Sequence, residues 1–221
     1  TKLVYEKFGG WEKIHSIELG SGMGWHSFVA ASEGANVTLL DYSKSALKLA
    51  KKRFDAFNFQ ATFINGNAFE VILKRRSKFN LAWSFGTAEH FKDDLRQIFF
   101  ELHFDFIEKD GLTIISCPHK YAINYRLWMY YANKYNLWSF GLEIPYSKKE
   151  FVKRLKLSDN TLLDVQYQVG RPCMNKLLNI LKGNSKLRYY MFYPFIQASR
   201  KLKLRFIPFN LRSIILVAQK K

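Results

Sequence analysis

An α/β fold with a doubly wound, largely parallel sheet is predicted by the order of elements in this 221-residue chain. Short apolar runs alternate with amphipathic stretches long enough for helices, the pattern of successive βαβ units. The run Ile17-Glu18-Leu19 enters Gly20-Ser21-Gly22-Met23-Gly24, and the next apolar run, Asn36-Val37-Thr38-Leu39-Leu40, ends on Asp41. Alternate glycines let the backbone approach a ligand closely, and the helix that follows offers free N–H groups. An acid closing the second strand is placed to accept hydrogen bonds from a ribose diol. These parts describe a nucleoside-binding unit.

The glycine spacing says which nucleoside. A dinucleotide fingerprint, G-x-G-x-x-G/A, requires Gly or Ala where this chain has Trp25. The glycines instead run G-x-G-x-G behind Glu18, which would repel a pyrophosphate and attract an ammonium. This resembles motif I of the class I S-adenosylmethionine (SAM) methyltransferases, (D/E)-x-G-x-G-x-G. The resemblance implies that SAM is the cofactor, that Glu18, Gly20, Gly22 and Gly24 cradle its amino-acid end, and that Asp41, with Tyr42 beside it, meets the ribose.

Later elements agree. Gln60–Ile64 reads as a third strand, followed by Gly66-Asn67-Ala68-Phe69. The family commonly has Gly-Asp-Ala here, the acid bonding the adenine amino group. Asn67 departs from that, although its amide oxygen can accept the same bond, with Ala68 and Phe69 beside the adenine. Phe79–Phe85 makes a fourth strand, and Phe85 is counted with the cofactor site. It leads into Gly86-Thr87-Ala88-Glu89-His90-Phe91, which resembles the L-E-H-F segment of type-11 methyltransferases, with Asn80 where that group often has Asp. A helix over about 93–107, then Lys109-Asp110-Gly111 and the strand Leu112–Pro118, resemble the family's L-K-P-G-G-x-L-x-I-S-x-P region, Asp110 replacing its first Gly. A helix over about 148–155 and a sixth strand over 162–168 follow, and 213–218 reads as a seventh strand, which the family fold inserts antiparallel beside the sixth. The resemblance covers residues 10–120 well and the remainder loosely.

Length suits one domain, 1–221, with a substantial core. No uncharged apolar run reaches the length of a membrane span. Two cysteines, Cys117 and Cys173, make neither a disulfide framework nor a zinc spacing, and no leader is visible, so a cytoplasmic setting is expected.

Charge is the second signal. The formal net charge is +17, with 35 Lys and Arg against 18 Asp and Glu. No acid follows Asp164, whereas Lys201, Lys203 and Arg205 stand among aromatic residues such as those of Tyr189–Phe195. Basic residues mixed with aromatic ones suit an anionic membrane surface or nucleic acid; a solvated basic face is the plain alternative. The dense aromatic patch and the absence of (D/N)-P-P-(Y/F) after the fourth strand favour the membrane surface over RNA or DNA, with peripheral attachment expected. This tail, 170–210, is expected as a helical insertion before the last strand.

Residues 119–146 follow the fifth strand, at the carboxyl edge where open α/β sheets bind ligands, and are expected to form an aromatic lid over the acceptor. Trp138, Gly141, Glu143, Pro145, Tyr146 and Ser147 resemble a W-x-x-G-x-E-x-P-Y-S stretch of type-11 members near sugar and cell-envelope functions. The expected acceptor is a hydroxyl on a small molecule, glycan or lipid-linked molecule; RNA methylation and a SAM-binding partner subunit are the alternatives. SAM supplies its own leaving group, so the protein must align the acceptor and remove a proton. His90, at the rim after the fourth strand, is the first candidate base and His119 the second. Each has a packing role as its plain alternative. Glu89 and His90 resemble part of the metal site of some quinone-pathway O-methyltransferases. Those carry a further Glu three residues earlier, where Gly86 stands, so no metal is expected. Cys117 reads as a buried structural thiol. Tyr5, Phe8 and Trp11 are expected either to close over SAM or to pack on the sheet edge.

Overall fold

The computed structural model describes residues 2–71, 79–158, 160–169, 172–184, 189, 193 and 211–221. One sheet contains β1 (His15–Leu19), β2 (Asn36–Asp41), β3 (Thr62–Asn65), β4 (Phe79–Phe85), β5 (Ile107–Pro118), β6 (Thr161–Val169) and β7 (Leu211–Gln219). Their spatial order is β3-β2-β1-β4-β5-β7-β6. The first five pair in parallel, and β7 runs antiparallel between β5 and β6. This is the seven-stranded Rossmann-like arrangement expected from the sequence.

Helices α1 (Lys2–Phe8), α2 (Trp25–Ser32), α3 (Lys44–Ala56), α4 (Asp93–Phe106), α5 (Ile123–Lys134), α6 (Lys148–Leu157) and α7 (Pro172–Asn184) complete the described elements. Side chains alternate across the strands, as both faces of a parallel sheet must be covered. On β4, Leu81 and Trp83 join a core with Val37, Leu39 and Phe54, while Ala82 joins one with Ile17, Leu40 and Phe99. Among the described residues no helix is long and apolar enough to cross a membrane.

Two departures from the family pattern have structural causes. Asn80 Oδ1 accepts from the His15 N–H at 2.6 Å and its amide donates to Glu108 at 2.7 Å, so it ties the lower ends of the strands together. Asp110 lies at φ +64°, a left-handed conformation that Asp tolerates better than most residues. Its N–H donates to Lys220 O and its Oδ1 accepts from Gln219. β5 therefore begins at Ile107, earlier than the sequence suggests, with a register shift against β4.

The segment after β5 forms α5 and then an extended return leg. That leg is laid back on the sheet edge by backbone bonds from Ile144 N–H to Glu89 O and from Tyr146 N–H to Pro118 O. Most of the basic tail, including Lys201, Lys203, Arg205 and all of Tyr189–Phe195 except Tyr189 and Tyr193, lies outside the described residues, as does the Cys173 side chain. α7 is the described part of that expected insertion.

Candidate active site

The chain reverses its direction of travel across the sheet between β1 and β4, so a crevice opens at their carboxyl ends. Gly20 ends β1 and Thr87 follows β4, and the two loops touch: Thr87 Oγ1 donates to Gly20 O at 3.2 Å. A Cβ on Gly20 would meet Thr87 Cγ2 at 2.4 Å, so only glycine lets the loops meet. Gly24, at φ +67°, leads directly into α2, and its absent Cβ would lie 2.3 Å from Leu39.

Asp41 is buried at the end of β2. Its Oδ2 accepts from the Gly22 N–H at 2.6 Å and its Oδ1 from the Ser43 N–H at 2.7 Å. A carboxylate offers about four lone-pair sites, so two such bonds still leave capacity for a diol. Glu18 lies deeper. It accepts from Ser27 N–H at 3.1 Å and Ser27 Oγ at 2.5 Å, and burial pushes its pKa up to about 7. Its observed contact is with the first turn of α2.

A cavity of about 440 Å³ opens above this loop. Gly20, Asp41, Tyr42, Asn67, Ala68, Phe69, Thr87, His90 and Phe140 are among its lining residues. Seven of the residues predicted for the cofactor or for proton removal thus share one space: Gly20, Asp41, Tyr42 and the run Asn67–Phe69, with His90 at the far end. Asn67 Oδ1 accepts from the Phe69 N–H at 3.2 Å and its amide donates to Glu70 at 2.8 Å, which shapes the turn. Phe69 packs edge-on to Phe91.

A second cavity, of about 390 Å³, adjoins the first. Its walls include His26, Phe85, Glu89, His90, Cys117, Trp128, Phe140, Glu143 and Lys176. His90 and Phe140 line both cavities. Phe85 faces this second space, where it stacks on His26 at 3.8 Å between centroids, and does not line the first. His26 is held below its ordinary pKa by burial.

His90 sits in a single 3-10 turn, Ala88–His90. Its Nδ1 lies 2.8 Å from Leu142 O; the Nδ1–H tautomer satisfies that carbonyl and leaves the Nε2 lone pair free. His119, in contrast, packs against Tyr121 and Tyr167 and lines neither cavity. Tyr5 and Trp11 line a third cavity of about 560 Å³ on the α1 side, away from Gly20 and Asp41. Cys117 is buried and its thiol is pushed up by burial.

Glu89 is buried, with one carboxylate oxygen lacking a hydrogen-bond partner among the described residues; burial raises its pKa to about 8. Glu143 Oε2 is likewise unpartnered, and burial raises that group to about 7. Sequence reasoning gave no role to Glu143, Phe140 or His26. Glu143 lay in the segment already singled out by its motif, and the structure explains that motif physically. The Trp138 indole N–H donates to Gly141 O at 2.8 Å across a left-handed glycine, Tyr146 is fully buried, and Ser147 caps α6.

Residues 17–111 match the family model described as a methyltransferase domain. That match spans the glycine loop, Asp41 and the first four strands, and it is similarity to a methyltransferase domain. No curated protein shows significant sequence similarity to it. Among solved structures, magnesium protoporphyrin IX methyltransferase (ChlM) from Synechocystis PCC 6803, with S-adenosylhomocysteine bound, is 13% identical. The match covers 99% of this chain and 80% of that one, with a TM-score of 0.65. The Burkholderia thailandensis 1,6-didemethyltoxoflavin-N1-methyltransferase, with its acceptor and S-adenosylhomocysteine, is 14% identical. There the match covers 100% and 76%, with a TM-score of 0.64. The [4+2]-cyclase SpnF is also 14% identical, over 99% and 78%, with a TM-score of 0.65. Identities this low carry the fold alone, and a cyclase among the neighbours shows that the methyltransferase-like fold by itself names no reaction.

Proposed function

We propose that this chain transfers a methyl group from SAM, the cofactor of its methyltransferase domain, to a hydroxyl of a small-molecule, glycan or lipid-linked acceptor. The observation that carries the reading is the pair of adjoining cavities joined at His90 and Phe140. One is floored by the glycine loop and Asp41 and has a volume within the range of ordinary cofactor sites. The other is walled by aromatic rings and two carboxylates, Glu89 and Glu143. A methyl donor in the first and an acceptor in the second meet at His90, whose Nε2 is free to take the hydroxyl proton.

The second cavity also bears on the RNA alternative. Among the described residues, two carboxyl groups and aromatic rings face one ammonium, that of Lys176, which makes a poor seat for a phosphate-rich strand. The acceptor in this reading is a compact group, and the positive tail is left to attract an anionic membrane around it.

Incubation of the protein with methyl-labelled SAM and separated lipid, glycan and small-molecule fractions tests the reading. Label entering one fraction, released by ether- or ester-cleaving chemistry, is the expected result. Label entering only RNA, or SAM binding without transfer to any fraction, would overturn it.

A further inference from the structure

The wall between the two cavities holds a cluster of which the proposed proton removal uses only His90. Glu89, His90 and Glu143 each present a ligand atom, and these atoms lie within 4.8 Å of one another. Their convergence is built by the fold. The return leg crosses the 3-10 turn with Ile144 N–H donating to Glu89 O at 2.8 Å and Leu142 O facing His90 Nδ1 at 2.8 Å. Glu143 lies between those two bonds and is thereby fixed over Glu89 and His90. Arg96, buried beneath, donates to Ile144 O and Phe91 O and pairs with Glu150, holding leg and turn together.

A second observation points to a ligand. Glu89 is 2% exposed, yet its Oε2 has no hydrogen-bond partner among the described residues, and neither has Glu143 Oε2. Two unpartnered carboxylate oxygens facing one wall are costly to ionise unless a cation joins them. Arg96 pairs with Glu150 and Lys176 sits with its Nζ 4.4 Å above the Trp128 ring; each acts on a carboxylate of the cluster only through space, Arg96 on Glu89 and Lys176 on Glu143, and burial outweighs both. Among the described residues no ion pair links Lys176 to Glu143.

We propose that Glu89, His90 and Glu143 form a site for one divalent transition-metal cation at the junction of the two cavities. The donor set, one imidazole nitrogen and two carboxylate oxygens, suits a cation of the Mn²⁺ kind, with open positions left for water or substrate. Metal–ligand distances near 2.0–2.2 Å bring ligand atoms to roughly 3–4 Å apart, so a small side-chain rotation closes the cluster. His90 already has the arrangement common to metal-bound histidines, one ring nitrogen held by a backbone carbonyl and the other free. The sequence pattern argued against a metal because Gly86 stands where a third ligand was looked for; the fold brings Glu143 from the return leg instead. The site rests on this geometry alone. Its use rests on the methyl-transfer reading: with a cation bound, His90 would be its ligand and the coordinated acceptor hydroxyl would have a lowered pKa, whereas in the metal-free chain His90 Nε2 is left to take the proton.

The test is Mn²⁺ binding to the metal-stripped protein without SAM or acceptor, read by loss of the free-ion paramagnetic resonance signal. One equivalent bound by the native chain, and at least tenfold weaker binding by both E89Q and E143Q with unchanged unfolding temperatures, is the expected result. Native affinity retained by both variants, or no binding at millimolar metal, would overturn the proposal. Should E89Q fail to fold, E143Q and H90A decide it in the same way. Because no turnover is read, a missing site and a mistaken reaction give different results.

Discussion

Asp41 does at the residue scale what the glycine loop cannot do alone: it holds the loop in place through Gly22 and still faces the 440 Å³ cavity. Asp41→Ala is expected to weaken SAM binding at least tenfold, about 1.4 kcal/mol, since hydrogen bonds to a charged acceptor are among the stronger ones. Calorimetric titration checks this; unchanged affinity would remove Asp41 from the site. Gly24 is limited by space as well as by φ. Gly24→Ala adds a left-handed alanine, about 1–2 kcal/mol, and a clash with Leu39, about 1–3 kcal/mol. A loss of roughly 2–5 kcal/mol in denaturant unfolding is expected, and a loss below 1 kcal/mol would contradict this account. Asp41 and Gly24 were legible in sequence because their chemistry is local: a turn, a strand end, a short spacing. Glu143 was not, because its role depends on a return leg folding back over a turn far away in sequence. Phe85 shows a related limit, since the sequence shows that a strand ends there but not which cavity its last ring faces.

At the element scale, α4 is fastened to β4 by a buried histidine. His103 Nδ1–H donates to Phe99 O and its Nε2 accepts from Ser84 Oγ, so the ring is neutral; burial lowers its pKa to about 4. Between about pH 6.5 and 4 the unfolded chain binds a proton that the folded chain refuses. Stability is therefore complete above that window and falls as pH drops through it, by up to about 3 kcal/mol. His103→Gln is expected to be less stable at neutrality but flatter across this window, as measured by denaturant unfolding at a series of pH values. An unchanged slope would assign the acid sensitivity elsewhere. Most elements were readable from apolar runs, including β4, α4 and the last strand, whose antiparallel placement followed from the family resemblance. α5 was read only as an aromatic stretch, because its three tyrosines and Trp128 obscure any polar face. The early start of β5 was hidden by Lys109-Asp110-Gly111, which reads as a turn unless Gln219 and Lys220 are known to lie opposite.

For the whole molecule, the sheet order sets two adjoining cavities beside one another, which the proposed reading gives to donor and acceptor, and the net charge of +17 favours anionic surroundings. Charge reversal at Lys201, Lys203 and Arg205 together is expected to abolish co-sedimentation with anionic vesicles, since each basic residue near such a surface contributes about 1 kcal/mol. SAM affinity should be unaffected, and vesicle binding that persists would leave the tail a solvated face. The central claim is that the glycine loop and Asp41 form a SAM site. Calorimetric titration with SAM, S-adenosylhomocysteine and NAD tests it most directly: micromolar binding of both sulfur ligands with NAD silent is the predicted result, and silence for all three would contradict it.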